Sequence, residues 1–518
     1  MPVRFSNSVS ESARSNQSSI RGRSSGELLR HRRRSSQGDG LRKTGGVLQD
    51  LAGWWLAVLL VFAPWAFGTT FPETKVLLAE ALCALGPIFL ISLILRRRWP
   101  RVNWLTALLS LVILGYGWWM TWNAKLVYDT ALFYFHYGSP QAPSLPGTVD
   151  QQTSATQMLL VTGLFCAFWV VADLSARERW RSRFWLVLSL TGVSIVILGL
   201  AQRLTNAPGI FWLTDLECGP SFFATYRYHA NAGAFINIIF PLVAARCVAA
   251  FRRKSGELAR PFWFLAMIAV LVSAFVNVSR AASVITLCVF ILFSAHQLYE
   301  VCRTRQRQSK GLIVILAILA VVAVGVLVWV VGFGASYQRW IDPRFNLATD
   351  ERFAAYDAIE HQLIPATGWW GLGPATFHLV FPFFTSGYGQ RLIGYWEYAH
   401  EDYLQTLVEW GSCGAGLWFL FFGNNVLRGC WAVLRRQRTW DGGTRAFAVA
   451  CLLSVASVLA HAAVDFPMQI ASLQLYTCVV LALLATLSYA DGQRIRRFRP
   501  EETSLNGSAS DPQQKGMV

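Results

Sequence analysis

The sequence predicts an all-α polytopic membrane protein with about twelve transmembrane helices and one large outer loop. Three observations lead to this fold class. Charged residues make up 14% of the 518-residue chain and hydrophobic residues 54%, whereas soluble domains carry about 25% charged residues. Apolar runs long enough to span a membrane recur along the chain. The basic residues gather after every second run, as the positive-inside rule requires.

The apolar runs begin after a Ser-, Arg- and Gly-rich segment, residues 1–46, which we predict to be a disordered basic tail. No signal-peptide core follows its first charges. Residues 47–490 form the predicted membrane domain, and residues 491–518 form a second cytoplasmic tail. The predicted spans are residues 47–67, 75–95, 103–122, 155–174, 184–202, 229–250, 261–278, 281–300, 311–333, 404–427, 446–463 and 468–489.

The net charge of +17 is explained by orientation and does not indicate a nucleic-acid partner. About 37 of the 46 Lys and Arg residues lie in the tails and in the loops of one side. The positive-inside rule places that side, with both termini, in the cytoplasm, where anionic lipids attract basic loops. The topology leaves nine basic residues unexplained: Lys75, Lys125, Arg203, Arg227, Arg280, Arg339, Arg344, Arg352 and Arg391.

The largest outer loop, residues 334–403, is too long to be without structure or function in a compact protein. Thr349 is a candidate N-cap, and Asp350 and Glu351 would follow it in the first helical turn. Apolar residues then recur at helical spacing, which predicts an amphipathic helix at the membrane interface. These residues are Phe353, Tyr356, Ile359 and Leu363.

A turn at Gly371-Leu-Gly373-Pro374 separates this helix from a group of aromatic residues. The group consists of Phe377, Phe381, Phe383 and Phe384. An interfacial aromatic belt is the commoner use of such residues. Stacking on sugar rings is the functional alternative.

Polar residues concentrate at the end of the loop, in the segment His400-Glu-Asp402-Tyr-Leu-Gln405, with Glu409 inside the next span. An imidazole at the wet mouth of a span can act as a base near neutral pH. The alternative is that His400 caps the span as an interfacial polar residue. A carboxylate two turns inside a span faces a cavity or a bonding partner, so Glu409 belongs to a site or to a structural hydrogen bond.

Arginines on the side that is poor in basic residues are candidates for anion binding. Arg280 lies between the seventh and eighth spans, and guanidinium groups bind phosphate or pyrophosphate bidentately. Snorkelling at a helix end is the alternative. Arg344 and Arg352, in the large loop, would converge on the same anion or bond to the adjacent acids.

The turn between the last two spans carries His461 and Asp465, four residues apart, with a helix break at Pro467. The two side chains would bond to each other if the helix continued between them. Packing or capping is the main interpretation, and a part in the site is the alternative. The sequence contains no CxxC, HExxH or Walker-type motif, so we predict neither a metal site nor a nucleotide cofactor.

In order and spacing, these segments resemble the bacterial O-antigen ligase and polymerase superfamily. That family ends its large periplasmic loop with a His, a variable residue, a polar or acidic residue and then Tyr-Leu-Gln, similar to 400–405 here. Gly371-Leu-Gly373 resembles its glycine-rich loop, Ser279-Arg280 its Ser-Arg turn, and 461–467 its late turn. The resemblance covers residues 47–490.

The resemblance implies a GT-C-like membrane glycosyltransferase that needs no metal. Such an enzyme moves a glycan from undecaprenyl diphosphate to a lipid- or glycan-linked acceptor on the periplasmic face of the bacterial inner membrane. Arg280 and Arg352 match the family's two essential arginines, with Arg344 as a competitor for the second, and His400 matches its essential histidine.

The remaining polar residues of the outer face are candidates for substrate binding. Asp402 or Glu409 would set the tautomer of His400 or bind acceptor hydroxyl groups. Gln405, His461 and Asp465 complete the set of candidates.

Three other functions stay open. A polysaccharide polymerase and a protein O-oligosaccharyltransferase share the donor chemistry, and the sequence does not reveal the acceptor. A polytopic transporter belongs to a different class and predicts charged residues at mid-span positions and helices broken at the membrane midplane.

Overall fold

The computed structural model describes residues 40–497 with gaps at 215–220, 253–256, 304–324, 326–350, 393 and 437–439. The described part is mostly helical and contains ten helices long and apolar enough to cross a membrane. It is therefore the fold of a helical polytopic membrane protein. The predicted ninth span, 311–333, lies outside the described residues except for Gly325, so twelve spans stay a prediction.

The helices follow one another with short connections over most of the chain. They are α1 (Gly40–Trp65), α2 (Pro72–Cys83), α3 (Leu85–Arg96), α4 (Trp104–Trp122), α5 (Gln151–Leu174), α6 (Glu178–Leu204), α7 (His229–Arg252), α8 (Ala259–Val276), α9 (Arg280–Arg303), α10 (Glu351–Ala358), α11 (Ile364–Thr367), α12 (Phe377–Val380), α13 (Asp402–Arg436), α14 (Gly442–Ala462) and α15 (Ala471–Arg497).

Both terminal helices extend beyond the predicted limits of the membrane domain. Helix α1 begins at Gly40, so the predicted tail of residues 1–46 is too long, and residues 1–39 lie outside the described part. Helix α15 ends at Arg497, beyond the predicted boundary at 490. Apolar length alone underestimates both helices because Lys and Arg have good helix propensity and extend a span into the polar layer.

The bundle has two chemically different ends, which helix α4 connects over about 28 Å. At the basic end, the side chain of Asn103 caps the start of α4, and the backbone N–H of Arg101 donates to Asp173 at the end of α5, 3.0 Å away. At the loop end lie a β-hairpin, residues 351–401 and the turn 463–470. The candidate residues of the large loop and the late turn are at the loop end.

The β-hairpin departs from the predicted all-α fold. Strand β1 (Leu126–Asp129) pairs antiparallel with β2 (Tyr134–Tyr137) in the connection between the predicted spans 103–122 and 155–174. Aromatic and β-branched side chains favour this extended conformation, and the Asp129 carboxylate accepts from Ala131 N–H at 2.8 Å to close the turn. The strands are too short to stand out beside apolar runs of span length.

Helix α7 lies at the centre of the bundle and is buried along most of its length. Pro241 interrupts its backbone ladder, because proline offers no N–H to the carbonyl of Asn237 four residues earlier. Ser457 of α14 donates to that carbonyl at 3.1 Å. This bond satisfies the orphaned oxygen and fixes α14 against α7, which sets the position of the late turn at the loop end.

The large loop has its own small core. The helix expected after Thr349 is present as α10 and continues through a π-helical turn, Ile359–Leu363, although Thr349 and Asp350 lie outside the described residues. Ile359 and Leu363 are buried in the loop core, while Phe353 is 54% exposed. The apolar face of this helix therefore packs on protein, which corrects the expectation that it lies on the membrane interface.

The aromatic group after the glycine turn is also divided differently from the prediction. Phe377 and Phe381 are fully buried and stack on each other with ring centroids 4.9 Å apart, because residues four apart share one face of a helical turn. They form part of the loop core and serve neither as an interfacial belt nor as a sugar platform. Phe383, by contrast, is 64% exposed.

Candidate functional site

The site at the loop end is centred on His400, two residues before α13 begins. Its backbone is left-handed, with φ at +55°, a conformation that few non-glycine residues adopt and that functional sites often contain. The hydroxyl of Tyr356 in α10 donates to the His400 carbonyl at 2.7 Å. The loop helix thereby holds the backbone that carries the imidazole.

Asp465 of the late turn orients that imidazole. His400 Nδ1 lies 3.2 Å from Asp465 Oδ1, and the imidazole is 25% exposed whereas the carboxylate is buried. Burial by itself would raise the pKa of Asp465, but the hydrogen bond from His400 and the charge of Arg352 outweigh it and place the pKa below its usual value. An ionised Asp465 accepts the Nδ1 proton, so Nε2 is the basic nitrogen.

Arg352 joins the same group through a tyrosine. Its Nη2 donates to the Tyr228 hydroxyl at 2.8 Å and its Nη1 to the Val464 carbonyl at 3.2 Å. The Tyr228 hydroxyl donates in turn to Asp465 Oδ2 at 3.3 Å. Burial raises the pKa of Tyr228, so the phenol stays protonated and links the guanidinium to the carboxylate.

Aromatic rings enclose the imidazole on several sides. The ring centroids of Phe466, Trp396 and Tyr228 lie 4.8, 5.7 and 6.1 Å from that of His400, all edge to face. Tyr398 stacks on Phe466 at 4.4 Å. These contacts fix the plane of the imidazole and lower the local polarity, which strengthens its hydrogen bond to Asp465.

Asp402 does not orient His400, which corrects one predicted role. Its Oδ2 accepts from Met468 N–H at 2.8 Å and its Oδ1 from Gln469 Nε2 at 3.0 Å. A carboxylate in the first turn of a helix is also favoured by the helix dipole. Asp402 therefore fastens the late turn to the start of α13 and positions Asp465 indirectly.

Glu409 and Gln405 also hydrogen-bond to other protein groups, and in the described part of the chain neither bonds to the imidazole of His400. Gln405 Nε2 donates to Glu409 Oε1 at 2.9 Å, and Ala399 N–H donates to Gln405 Oε1 at 3.1 Å. Ala375 N–H donates to Glu409 Oε2 at 2.9 Å. The pair thus ties α13 to the glycine turn and to the residue before His400.

Two glycines allow the glycine turn to meet α13 closely. Gly371 and Gly411 have φ values of +77° and +63°, and a Cβ on either would lie 2.3 Å from the other segment's backbone. Only glycine combines this conformation with this approach. The contact holds the turn beside Glu409.

His461 does not bond to Asp465 through its side chain, because α14 ends at Ala462. Thr286 Oγ1 donates to Asn237 Oδ1 at 2.5 Å, so Asn237 Nδ2 faces His461 Nδ1, 3.1 Å away. The imidazole therefore carries its proton on Nε2, a buried atom without a hydrogen-bond partner within the described ranges. The two residues are joined through the backbone, where the N–H groups of Val464 and Asp465 both donate to the His461 carbonyl at 3.0 Å.

Arg280 is the first residue of α9, in a turn attached to the start of α7. Asn277 Nδ2 donates to the carbonyl of His229 at 2.9 Å, and His229 follows Tyr228 in the chain. Ser279 Oγ accepts from Ala282 N–H at 3.3 Å and caps α9. The turn is thus fixed beside the segment that carries Tyr228, whereas Arg344 lies outside the described residues.

Sequence reasoning missed Tyr228 and a second polar group at the loop end, which consists of Lys75, His378 and Glu397. No pattern separates Tyr228 from an ordinary interfacial tyrosine. Lys75 of α2 interacts electrostatically with Glu409 and Glu397, and its place among the nine unexplained basic residues was the available signal. Burial lowers the pKa of His378 although Glu397 is close to it.

The described part of the chain contains no group of three or more His, Cys, Asp and Glu side chains arranged to hold a metal ion. A scan of protein-family models finds no match to the chain, and no curated protein matches it. In the geometry of the site, an oriented imidazole bonds to one buried carboxylate, and the hydroxyl of Tyr228 links a guanidinium to the same carboxylate.

Proposed function

We propose that the protein is a membrane glycosyltransferase of the O-antigen ligase type. It transfers a glycan from undecaprenyl diphosphate to an acceptor on the periplasmic face, in surface polysaccharide biosynthesis. The observation that supports this function most is the hydrogen-bonded chain from Arg352 through Tyr228 and Asp465 to His400. It combines a general base with a cation that binds oxyanions.

His400 acts as the base in this proposal. The acceptor hydroxyl oxygen attacks the anomeric carbon of the donor glycan, its proton passes to His400 Nε2, and the bond from that carbon to the diphosphate oxygen breaks. Undecaprenyl diphosphate leaves with the bonding electrons. Asp465 stabilises the imidazolium that forms and keeps it in position, as the carboxylate of a hydrolase triad does.

The arginines stabilise the leaving diphosphate. Hydrogen bonds to the Tyr228 hydroxyl and the Val464 carbonyl fix the position of the Arg352 guanidinium and its positive charge. Preorganised cations at a partly dry interface stabilise the developing charge without reorganisation. Arg280 supplies the second cation from the turn beside the start of α7.

The second polar group suits the acceptor side of the reaction. Lys75, His378 and Glu397 lie near one another, and Tyr395 packs edge to face on His378 at 6.3 Å. Tyr398 hydrogen-bonds to Glu397 and stacks on Phe466, which contacts His400. Carboxylates and amines bind sugar hydroxyls, and an exposed tyrosine offers a face for a sugar ring.

A deletion strain distinguishes the enzyme classes. Accumulation of full-length lipid-linked glycan indicates a ligase, accumulation of single lipid-linked repeat units indicates a polymerase, and loss of glycan from a protein indicates an oligosaccharyltransferase. Unchanged glycans together with loss of uptake or export of a solute would indicate a transporter. We expect the first outcome.

The same strain tests the site through a pair of histidine variants. We expect His400→Ala to leave the deletion phenotype unrelieved at wild-type protein level in the membrane. His361→Ala is the matched control, because His361 lies in the same loop but is 71% exposed and bonds to Asp357 at 3.1 Å. Full complementation by His400→Ala would refute the assignment of the base.

A further inference from the structure

A group of buried polar side chains lies inside the bundle, on helices α7, α9 and α14. It consists of Asn237, Thr286, Ser457 and His461, each no more than 2% exposed, and we call it the buried polar cluster. The proposed reaction does not use these side chains. Polar side chains inside a membrane bundle are costly, and they commonly serve the function of the protein, so the cluster calls for an explanation.

Asn237 of α7 connects the other members of the buried polar cluster. Its Oδ1 accepts from Thr286 Oγ1 of α9 at 2.5 Å, and its Nδ2 donates to His461 Nδ1 of α14 at 3.1 Å. Its backbone carbonyl, which Pro241 leaves without an intrahelical partner, accepts from Ser457 of α14 at 3.1 Å. A single residue of α7 is thus bonded to two neighbouring helices, through its side chain and through its backbone.

The three helices that meet in the cluster carry residues of the candidate site at their ends. Helix α9 begins with Arg280, α7 directly follows Tyr228, and α14 leads into the late turn with Asp465. The cluster residues of these helices lie six, nine and four positions from those site residues, which is about one to three helical turns. A shift of one helix at the cluster would therefore move its site residue relative to the other two.

Hydrogen bonds suit the cluster to this task better than apolar packing does. Van der Waals contact already drives the association of helices in a membrane, and it tolerates small shifts. A hydrogen-bonded cluster does not, because a shifted helix leaves buried donors and acceptors without partners, and each of these costs free energy. The cluster is also close to the site, since Asp465 and Arg352 interact electrostatically with the His461 imidazole.

We propose that Asn237 is a positioning residue for glycan transfer. Through the buried polar cluster it fixes the position of Arg280, at the start of α9, relative to Asp465, which orients His400. This role rests on the proposed function, in which Arg280 stabilises the leaving diphosphate while His400 takes the proton of the acceptor. A misplacement of about 1 Å between such groups lowers a rate by about 100-fold.

A pair of asparagine variants tests this role. Asn237→Leu removes both side-chain bonds of Asn237 and nearly conserves its volume. Asn425→Leu is the matched control, because Asn425 is equally buried and also accepts from a threonine of another helix, Thr106, at 3.1 Å, but at the basic end. The full-length proteins are reconstituted in liposomes with the lipid-linked glycan and the acceptor extracted from the deletion strain. We measure kcat, the KM for each substrate and the thermal unfolding midpoint.

We expect Asn237→Leu to lower kcat per folded molecule by about 10- to 100-fold, with each KM within about twofold of the wild-type value, because Asn237 touches no substrate. Asn425→Leu should lower the unfolding midpoint by a similar amount and keep the wild-type kcat. A conservative substitution provides a second test. His461→Asn keeps an acceptor near the position of Nδ1 and should retain most of the transfer that His461→Phe loses.

Two results would overturn this role while the wild type is active. Equal kcat per folded molecule in Asn237→Leu and Asn425→Leu would show that the cluster only stabilises the bundle. A raised KM with an unchanged kcat would place Asn237 in a binding site. If Asn237→Leu does not fold, Thr286→Val is compared with Thr106→Val, since each removes one buried hydroxyl. A folded wild type without transfer would refute the proposed function and this role with it, so the two failures are distinguishable.

Discussion

The two ends of the bundle both contain a buried aspartate with an arginine, but they use the pair differently. At the basic end, Asp173 accepts from both Nη atoms of Arg98, from the Arg101 backbone and from Gln49 Nε2. At the loop end, Asp465 accepts from an imidazole, a phenol and the backbone N–H of Phe466. The first carboxylate is bound by a guanidinium directly, the second through Tyr228.

This difference indicates that Asp173 and Arg98 form a structural ion pair, whereas Asp465 belongs to the candidate functional site. The side chain of Asp173 has no exposed surface, and both Nη atoms of Arg98 bond to it, so this pair is a buried structural contact. His400 Nδ1 bonds to Asp465 and the imidazole is 25% exposed, and Arg352 is linked to Asp465 through the Tyr228 hydroxyl. Substitutions at the basic end should therefore lower the stability of the fold, whereas substitutions at the loop end should lower the rate of glycan transfer.

The largest expected effect is on transfer, from His400→Ala. Loss of a general base typically lowers a rate by about 10²–10⁴-fold, and a partly exposed side chain contributes little to folding. Glycan transfer in membrane fractions and the thermal unfolding midpoint of the purified protein measure the two quantities. If the unfolding midpoint fell so far that the variant were unfolded under the assay conditions, the loss of transfer would be a loss of fold. His400 would then be a structural residue, like Asp173.

The next largest effect is on stability, from Asp173→Ala. Removing one partner of a buried ion pair costs about 3–5 kcal/mol, because the other charge is left without compensation. Denaturant unfolding in detergent measures the loss, and transfer per folded molecule should stay at the wild-type value. If the stability were unchanged while transfer fell, the basic end would belong to the reaction.

Asp465→Asn should lower transfer by about 10- to 100-fold with the fold intact, because the amide neither stabilises the imidazolium nor fixes its tautomer. The pKa of Asp465 lies below its usual value, so the carboxylate is ionised throughout pH 5–8. The rate of glycan transfer in membrane fractions at pH 7 measures the effect. A rate equal to that of the wild type would show that Asp465 only packs against His400.

The smallest of these effects should follow from Tyr228→Phe, which removes the hydroxyl between Arg352 and Asp465. The hydrogen bond from Tyr228 to Asp465 is long, at 3.3 Å, so its loss should cost about 1 kcal/mol, and transfer should fall by roughly fivefold. Tyr388→Phe is the control, because the Tyr388 hydroxyl bonds to the exposed Asp357 at 2.6 Å in the same loop. Equal rates of glycan transfer in the two variants would show that the Tyr228 hydroxyl has no part in the reaction.

The sequence was sufficient to predict the membrane-spanning helices, but it did not predict which side chains of the candidate site bond to each other. Apolar runs of span length predict helices because only they bury their backbone in lipid, and the described spans lie where the runs lie. Arg352 and His400 were found because each stands out locally by charge or motif. The bond from His400 to Asp465 joins residues 65 apart, and no local pattern in either segment indicates that the two segments meet.

The same reasoning explains which roles were assigned wrongly. Asp402 and Glu409 are near His400 in sequence, but helical geometry turns them toward Gln469 and Gln405. Phe377 is buried because the loop forms a core of its own. Residues close to His400 in the sequence are therefore poorer candidates for its bonding partner than residues of the late turn, which packs against it in the fold.

In our proposal, the loop end transfers a glycan from a lipid diphosphate with His400 as the base. The most direct test reconstitutes purified wild-type and His400→Ala protein in liposomes with an undecaprenyl-diphosphate-linked glycan and its acceptor, and follows glycosylated acceptor and released undecaprenyl diphosphate together. We predict equal amounts of both products with the wild type and neither with His400→Ala. Equal product formation by the two proteins, or none by a folded wild type, would contradict the account.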